Sequence, residues 1–163
     1  MLTEIAAIIP ELTEWRRDLH AHPELAYQEK RTSAFVAETL RTIGCDVTTG
    51  IAETGVIGVL DFGPGPSLGI RADMDALPLI EQTGVAYASQ QDGVMHACGH
   101  DGHTTMGLGA AKIIAKHNGL KGKVVFIFQP AEENMGGAKR MVEEGLFERC
   151  PIDAVFGLHN LPG

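Results

Sequence analysis

The nine residues Met95-His96-Ala97-Cys98-Gly99-His100-Asp101-Gly102-His103 hold one thiol, three imidazoles and one carboxylate. Only a methionine and small residues separate them. Neither core packing nor solubility calls for that composition. Gly99 and Gly102 let the backbone turn sharply, so the side chains can converge. Thiolate and imidazole are good ligands for zinc and related divalent ions. The plainer alternative is a glycine-rich loop with a buried cysteine and a helix-capping histidine. Cys98 and His100 carry the metal reading most strongly. His96 and His103 carry it less, because His103 sits where a helix begins and could cap that helix or support a ligand. Asp101 is placed to orient a ligand imidazole by a hydrogen bond.

Other polar clusters follow apolar runs. Asp73 and Asp75 lie two apart, so an extended segment would put them on one face. Glu132 and Glu133 close the apolar run Lys123–Phe128 through Gln129-Pro130-Ala131. Adjacent carboxylates there repel unless a cation sits between them. One could ligate while the other faces a reacting water. His159 closes the run Ala154-Val155-Phe156-Gly157-Leu158. His20, His22, Pro23 and Glu24 form a further cluster, read as a helix end pinned by imidazole hydrogen bonds.

The elements that must position these groups follow from periodicity. Residues 3–21 read as a helix with Thr3 as N-cap, kinked or restarted at Pro10. It ends before Pro23. Residues 28–43 read as a second helix, with Phe35, Val36, Leu40 and Ile43 inward and Gly44 just past its end. Strands are expected at 46–49, 55–62 and 67–71, the last two joined as a hairpin through Gly63-Pro64-Gly65-Pro66. Residues 81–95 are irregular. A helix is expected from Thr104 to His117 with Met106, Ala110, Ile113 and Ile114 buried. Residues 123–128 and 153–158 read as buried strands around a short helix at 137–145. The fold class is α/β, a mainly parallel mixed sheet with helices on both faces. Sites in such sheets lie beyond the carboxyl ends of strands, where these clusters fall.

Composition narrows the function classes. The chain has 163 residues, 44% hydrophobic and 21% charged, which suits one globular domain. A net charge of −8 without a basic run disfavours nucleic acid and anionic membrane as partners. No run of about 18 apolar residues spans a membrane, and Met1 to Asp18 lacks the pattern of a signal peptide. Cys45, Cys98 and Cys150 are odd in number and far apart, which fits a reducing compartment. A cytoplasmic protein is expected. Neither a Gly-x-Ser-x-Gly elbow nor a phosphate-cradling glycine loop occurs.

Five segments together are recognisable: Arg17-Asp18-Leu19-His20-Ala21-His22-Pro23-Glu24-Leu25, Arg71-Ala72-Asp73-Met74-Asp75-Ala76-Leu77-Pro78, His96 through His103, Gln129-Pro130-Ala131-Glu132-Glu133 and Gly157-Leu158-His159. They resemble the dinuclear-metal amidohydrolases of the aminoacylase and carboxypeptidase type, metallopeptidase clan MH. Within that clan the chain is similar to the branch of hippurate hydrolases, N-acyl-amino-acid deacylases and auxin-conjugate hydrolases. The resemblance implies two divalent ions. Cys98 would bridge them, and His100, Glu133 and His159 would be terminal ligands. Glu132 would be the general base and Asp75 a support behind a ligand. Thiolate and imidazole favour zinc, while the carboxylates also suit manganese and tolerate cobalt or nickel. The implied reaction is hydrolysis of the amide bond of a small N-acyl amino acid by water activated between the two ions.

The same family is expected to add a lid and dimerisation domain, a late ligand histidine and final catalytic strands after the region of His159. Residues 1–163 would then be the N-terminal portion of the catalytic domain, with little or no hydrolase activity alone. A homodimer stays open, since the family's dimer contacts would lie elsewhere. The alternative function is a non-catalytic metal-binding or scaffold module derived from such an enzyme. An intact Glu132 argues against it, because a structural site has no use for a spare base.

Overall fold

A computed structural model describes residues 2–160. Helix α1 covers Leu2–Ala21 and α2 covers Lys30–Ile43. Strands β1 (Asp46–Ile51), β2 (Gly55–Asp61) and β3 (Ser67–Asp73) follow. Then come α3 (His100–Ile114), β4 (Lys123–Gln129), α4 (Gly137–Glu143), α5 (Leu146–Arg149) and β5 (Ala154–Gly157).

The five strands form one sheet in the order β1-β2-β4-β3-β5. β1 with β2 and β2 with β4 are antiparallel, whereas β3 pairs in parallel with both β4 and β5. The α/β class and the parallel half of the sheet agree with the sequence. The hairpin does not: β4 lies between β2 and β3. The run Val124 to Phe128 is apolar on both faces, and only a central position covers both. Val124, Phe126 and Phe128 pack with α2, α3 and Trp15 of α1 on one face. Val125 and Ile127 pack with Met141 of α4 and Leu146 of α5 on the other. Helices therefore cover both faces.

The crossover from β3 to β4 runs through α3 on one face, and that from β4 to β5 runs through α4 and α5 on the other. The chain thus leaves the carboxyl ends of these neighbouring parallel strands in opposite directions. Such a divergence is where open α/β sheets form a crevice. Asp73 ends β3 opposite Gln129, which ends β4.

Several local expectations are corrected. Thr3 lies inside α1, which is already helical at Leu2. Pro10 does not interrupt α1. This stretch is exposed, so the Ala6 carbonyl that loses its N–H partner faces water instead. α3 begins at His100, four residues before Thr104, and turns Met106 outward at 48% exposure. β5 is exposed rather than buried, with Phe156 61% accessible. It forms the sheet edge, and an apolar hollow lined by Ile70, Met106, Phe156 and Leu158 opens between it and α3. By contrast, α2 ends as expected: Gly44 takes φ 104° and its N–H returns to Leu40 and Arg41. Among the described residues no helix is long and apolar enough to cross a membrane.

Candidate metal centre

Gly99 starts the site. It precedes α3 at φ 84°, a region that favours glycine. A Cβ there would lie 2.7 Å from the Asn160 side-chain Nδ2. This left-handed turn swings the chain so that Cys98 and His100 face the crevice from either side of it. The sequence offers no Ser, Thr, Asn or Asp cap at this helix start, which explains the misplaced boundary.

His100 is fully buried in the first turn of α3. Its Nδ1 is 2.8 Å from the Asp75 carbonyl oxygen. A carbonyl only accepts, so Nδ1 carries the proton and donates it. Nε2 has no hydrogen-bond partner. It lies 3.7 Å from Asp73 Oδ2, 3.8 Å from Glu132 Oε2 and 3.9 Å from Glu133 Oε1. Those separations are too long for hydrogen bonds. They are close to the spacing of ligands around one tetrahedral cation, about 3.3–3.8 Å for bonds of about 2.0–2.3 Å.

His159 repeats the logic. Its Nδ1–H donates to the Asn160 carbonyl at 2.7 Å, leaving Nε2 3.4 Å from Cys98 Sγ. In both imidazoles a backbone carbonyl fixes the tautomer and aims the free nitrogen inward. Burial first, and then the hydrogen bond and charge of Glu133, push the Cys98 thiol up to about 11. Burial alone would lower the pKa of His100, but Asp75 and Asp73 overcome it and the pKa is raised. The carboxylates that hold a proton on His100 would equally hold a cation, and a cation would reverse the penalty on the thiolate.

Two sets of donor atoms each lie within 4.8 Å of one another: Cys98, His100 and Glu133, and Asp73, His100, His103 and His159. The second set is partly committed. Arg71 Nη1 is 2.7 Å from Asp73 Oδ2, and His103 Nδ1 donates to Asp73 Oδ1 at 2.6 Å. The Asn160 N–H donates to His103 Nε2 at 3.1 Å. With both ring nitrogens engaged, His103 supports its neighbours. Asp75 is also a support. Its Oδ2 accepts the Glu133 N–H at 2.9 Å. Burial would raise its pKa, but hydrogen bonds from His100 and the Glu133 N–H hold it below the usual carboxylate range. His100 Nε2 and Glu133 Oε1, 3.9 Å apart, remain buried without hydrogen-bond partners. Orphaned buried groups converging on one place are costly. Their donor chemistry fits a divalent cation.

The structure therefore brings Cys98, His100, Glu132, Glu133 and His159 together at the ends of β3, β4 and β5. Asp101 behaves differently from expectation. It accepts a 2.6 Å hydrogen bond from His20 Nδ1 and lies 3.0 Å from Arg16 Nε, so it ties α3 to α1 and orients no residue of the cluster. His20 Nε2 meets Glu81 at 3.2 Å. Glu24 caps α2 by accepting the N–H groups of Arg31 and Thr32. Sequence reasoning missed Arg16, Glu81 and Asn160, whose partners here are far away in the chain, and Arg71, which bridges the nearby Asp73 and the distant Gln129.

The His20 pair has a pH consequence. The Asp101 hydrogen bond raises the His20 pKa against burial. A raised histidine pKa stabilises the fold fully below about pH 6.5, the unperturbed value. That contribution is lost as pH climbs through the folded value. We expect the Tm difference between wild type and His20→Gln to shrink between pH 6 and pH 9. A constant difference across thermal melts in that range would contradict this assignment.

Known proteins share this arrangement of chain and fold. The chain is 48% identical over 163 residues to a hippurate hydrolase of Campylobacter jejuni, covering 99% of this chain and 42% of that protein. It is 48% identical over 155 residues to an IAA-amino acid hydrolase of Arabidopsis thaliana, covering 92% of this chain and 35% of that protein. The crystal structure of a Bacillus subtilis dinuclear metal-binding peptidase of the M20 family superposes with a TM-score of 0.90 at 43% identity. That match covers 96% of this chain and 44% of the Bacillus protein. The chain thus spans less than half the length of each of these relatives. The model of peptidase family M20/M25/M40 matches residues 69–163, more than half of the chain, and the chain belongs to that family.

Proposed function

We propose that this chain carries the metal-binding groups and the general base of a hydrolase acting on the amide bond of small N-acyl amino acids. Its products would be a carboxylic acid and an amino acid. The observation that carries the reading is the unpartnered His100 Nε2, facing Glu132 and Glu133 beside Cys98 and His159. The names of the two hydrolase relatives support the substrate class.

Cys98, His100, Glu133 and His159 would hold two divalent ions, zinc or manganese before cobalt or nickel. When bound, such ions lower the pKa of water and polarise a carbonyl. Glu132 is 35% exposed on the open side of the cluster. Its carboxylate would take a proton from the attacking water and return it to the departing amine nitrogen. Asp75 would keep both His100 and the Glu133 backbone in place. His103 would hold Asp73 back from the open side. Residues 1–163 would form the N-terminal portion of the catalytic domain, and groups that enclose the substrate would belong to the further length that the relatives possess. Three unpaired cysteines support a cytoplasmic setting.

The test is a chimera in which this chain replaces the matching residues of the Campylobacter hippurate hydrolase. The expected result is metal-dependent hydrolysis of hippurate, which Glu132→Gln lowers by about 10²–10⁴-fold with metal content unchanged. The isolated 163-residue chain should show little turnover. A Glu132→Gln chimera with wild-type kcat would remove Glu132 from the proposed role.

A further inference from the structure

We propose that Glu29 is a positioning residue for the Glu132-Glu133 turn. This rests on the roles given above to those two carboxylates.

Glu29 precedes α2 and is completely buried. Among the described residues no cation pairs with it, and burial pushes its pKa up. A carboxylate so placed is costly unless its oxygens are used. Both are. Oε2 accepts the Thr54 hydroxyl at 2.6 Å. Oε1 accepts the Ala131 N–H at 2.9 Å, across 102 residues.

Ala131 is where a tether is needed. It is fully buried and has φ 52°, in the left-handed region that alanine avoids. The chain must pass through this conformation to turn from the end of β4 into Glu132 and Glu133. If Ala131 relaxed to negative φ, the following peptides would rotate and both carboxylates would swing away from His100. Glu29 holds the N–H before the bend, and Asp75 holds the Glu133 N–H after it. The two anchors come from different elements and leave the turn little freedom to rotate. Glu29 also links the turn to the start of α2 and to Thr54 ahead of β2, so the general base is referenced to the core.

The experiment measures zinc affinity of the purified chain by competition with a chromophoric chelator, corrected for folded fraction. The variants are Glu29→Met and Glu29→Ala, which accept no hydrogen bond; Glu29→Gln, which still can; Thr54→Val; and Glu133→Ala. Hydrogen exchange at the Ala131 amide is followed in parallel, with Ile127 in β4 as reference. We expect either non-accepting variant to weaken zinc by about 10–100-fold, the usual cost of losing a group behind a ligand. Glu29→Gln and Thr54→Val should stay within about threefold, because both keep an acceptor for the Ala131 N–H. Exchange at Ala131 should accelerate in the non-accepting variants while Ile127 stays protected.

Wild-type zinc affinity in Glu29→Met or Glu29→Ala, with Glu133→Ala weakened, would overturn the proposal and leave the metal reading intact. A loss in Thr54→Val as large as in Glu29→Ala would also overturn it, since the effect would then follow general stability. An indifferent Glu133→Ala would sink the ligand role of Glu133 instead. Exchange at Ala131 then decides for Glu29: acceleration sustains its hold on the turn, and no change refutes it.

Discussion

Replacing Cys98 with alanine is expected to lower the metal content of the purified chain from near two ions to below one. The weakening of zinc should exceed about a hundredfold, the upper end of what is lost with groups behind a ligand. The reason lies in the neighbours. Cys98 Sγ sits 3.4 Å from His159 Nε2, and its donor atom clusters with those of His100 and Glu133. Without the thiolate, exposed His159 has little to hold it against the buried side of the site. The titration adds a signature. Burial and the Glu133 carboxylate push the thiol up to about 11, so a metal ion that takes the thiolate must release a proton. Apparent affinity should rise with pH by about tenfold per unit below that value, and the slope should flatten in Cys98→Ala. Elemental mass spectrometry of wild type and variant checks the stoichiometry. Two ions retained by the variant would contradict the assignment. A wild-type ratio near zero would mean that the centre needs groups beyond these 163 residues.

Much of this centre could be read before any coordinates, for a physical reason. Thiol, imidazole and carboxylate packed into residues 95–103 exceed what core packing or solubility calls for. Glu132-Glu133 and His159 stand out by following apolar runs, and strand ends are where α/β sheets place their sites. The burial of β4 was likewise legible, because a continuous apolar run needs cover on both faces, but the same reading wrongly buried β5, which is the exposed edge. What failed was long-range or lacked a local signal. Gly63-Pro64-Gly65-Pro66 is good turn chemistry whether or not the flanking strands pair, and nothing local tells that β4 inserts between them. Helix α3 starts on a left-handed glycine instead of a polar cap, so its boundary was set four residues late and Met106 was turned inward. Asp101 faces His20 across 81 residues. Glu29, within Gln28-Glu29-Lys30-Arg31, looks like any solvated acid near a helix start. Only the assembled fold shows that it is buried against Ala131.

The second large effect is expected at Gly137, where an added methyl group cannot fit. A Cβ on this residue would stand 1.7 Å from the Pro130 carbonyl oxygen and 3.2 Å from that of Ala131. Both obstacles are backbone, so no rotamer change relieves them. The Gly137 N–H also donates to the Ala131 carbonyl at 3.0 Å, which closes the loop 131–137 on itself. The requirement is close approach rather than a special φ, since Gly136, not Gly137, takes the left-handed value. Gly137→Ala must therefore pull α4 away from the end of β4 or open the loop. The cost should reach the top of the overpacking range, about 3 kcal/mol. In a chain of this size that lowers Tm by about 6–12 °C. Opening the loop also moves Glu132 and Glu133, so zinc affinity should fall along with stability. Gly102→Ala is the matched control. It lies within α3 with nothing within 4 Å of the added Cβ, and alanine should stabilise that turn by about 0.5–1 kcal/mol. Thermal melts and zinc titrations of the two variants should move in opposite directions in stability, and only Gly137→Ala should lose metal. Equal Tm values for Gly137→Ala and wild type would show that the loop yields freely. A tight hold on the Glu132-Glu133 turn would then be ruled out.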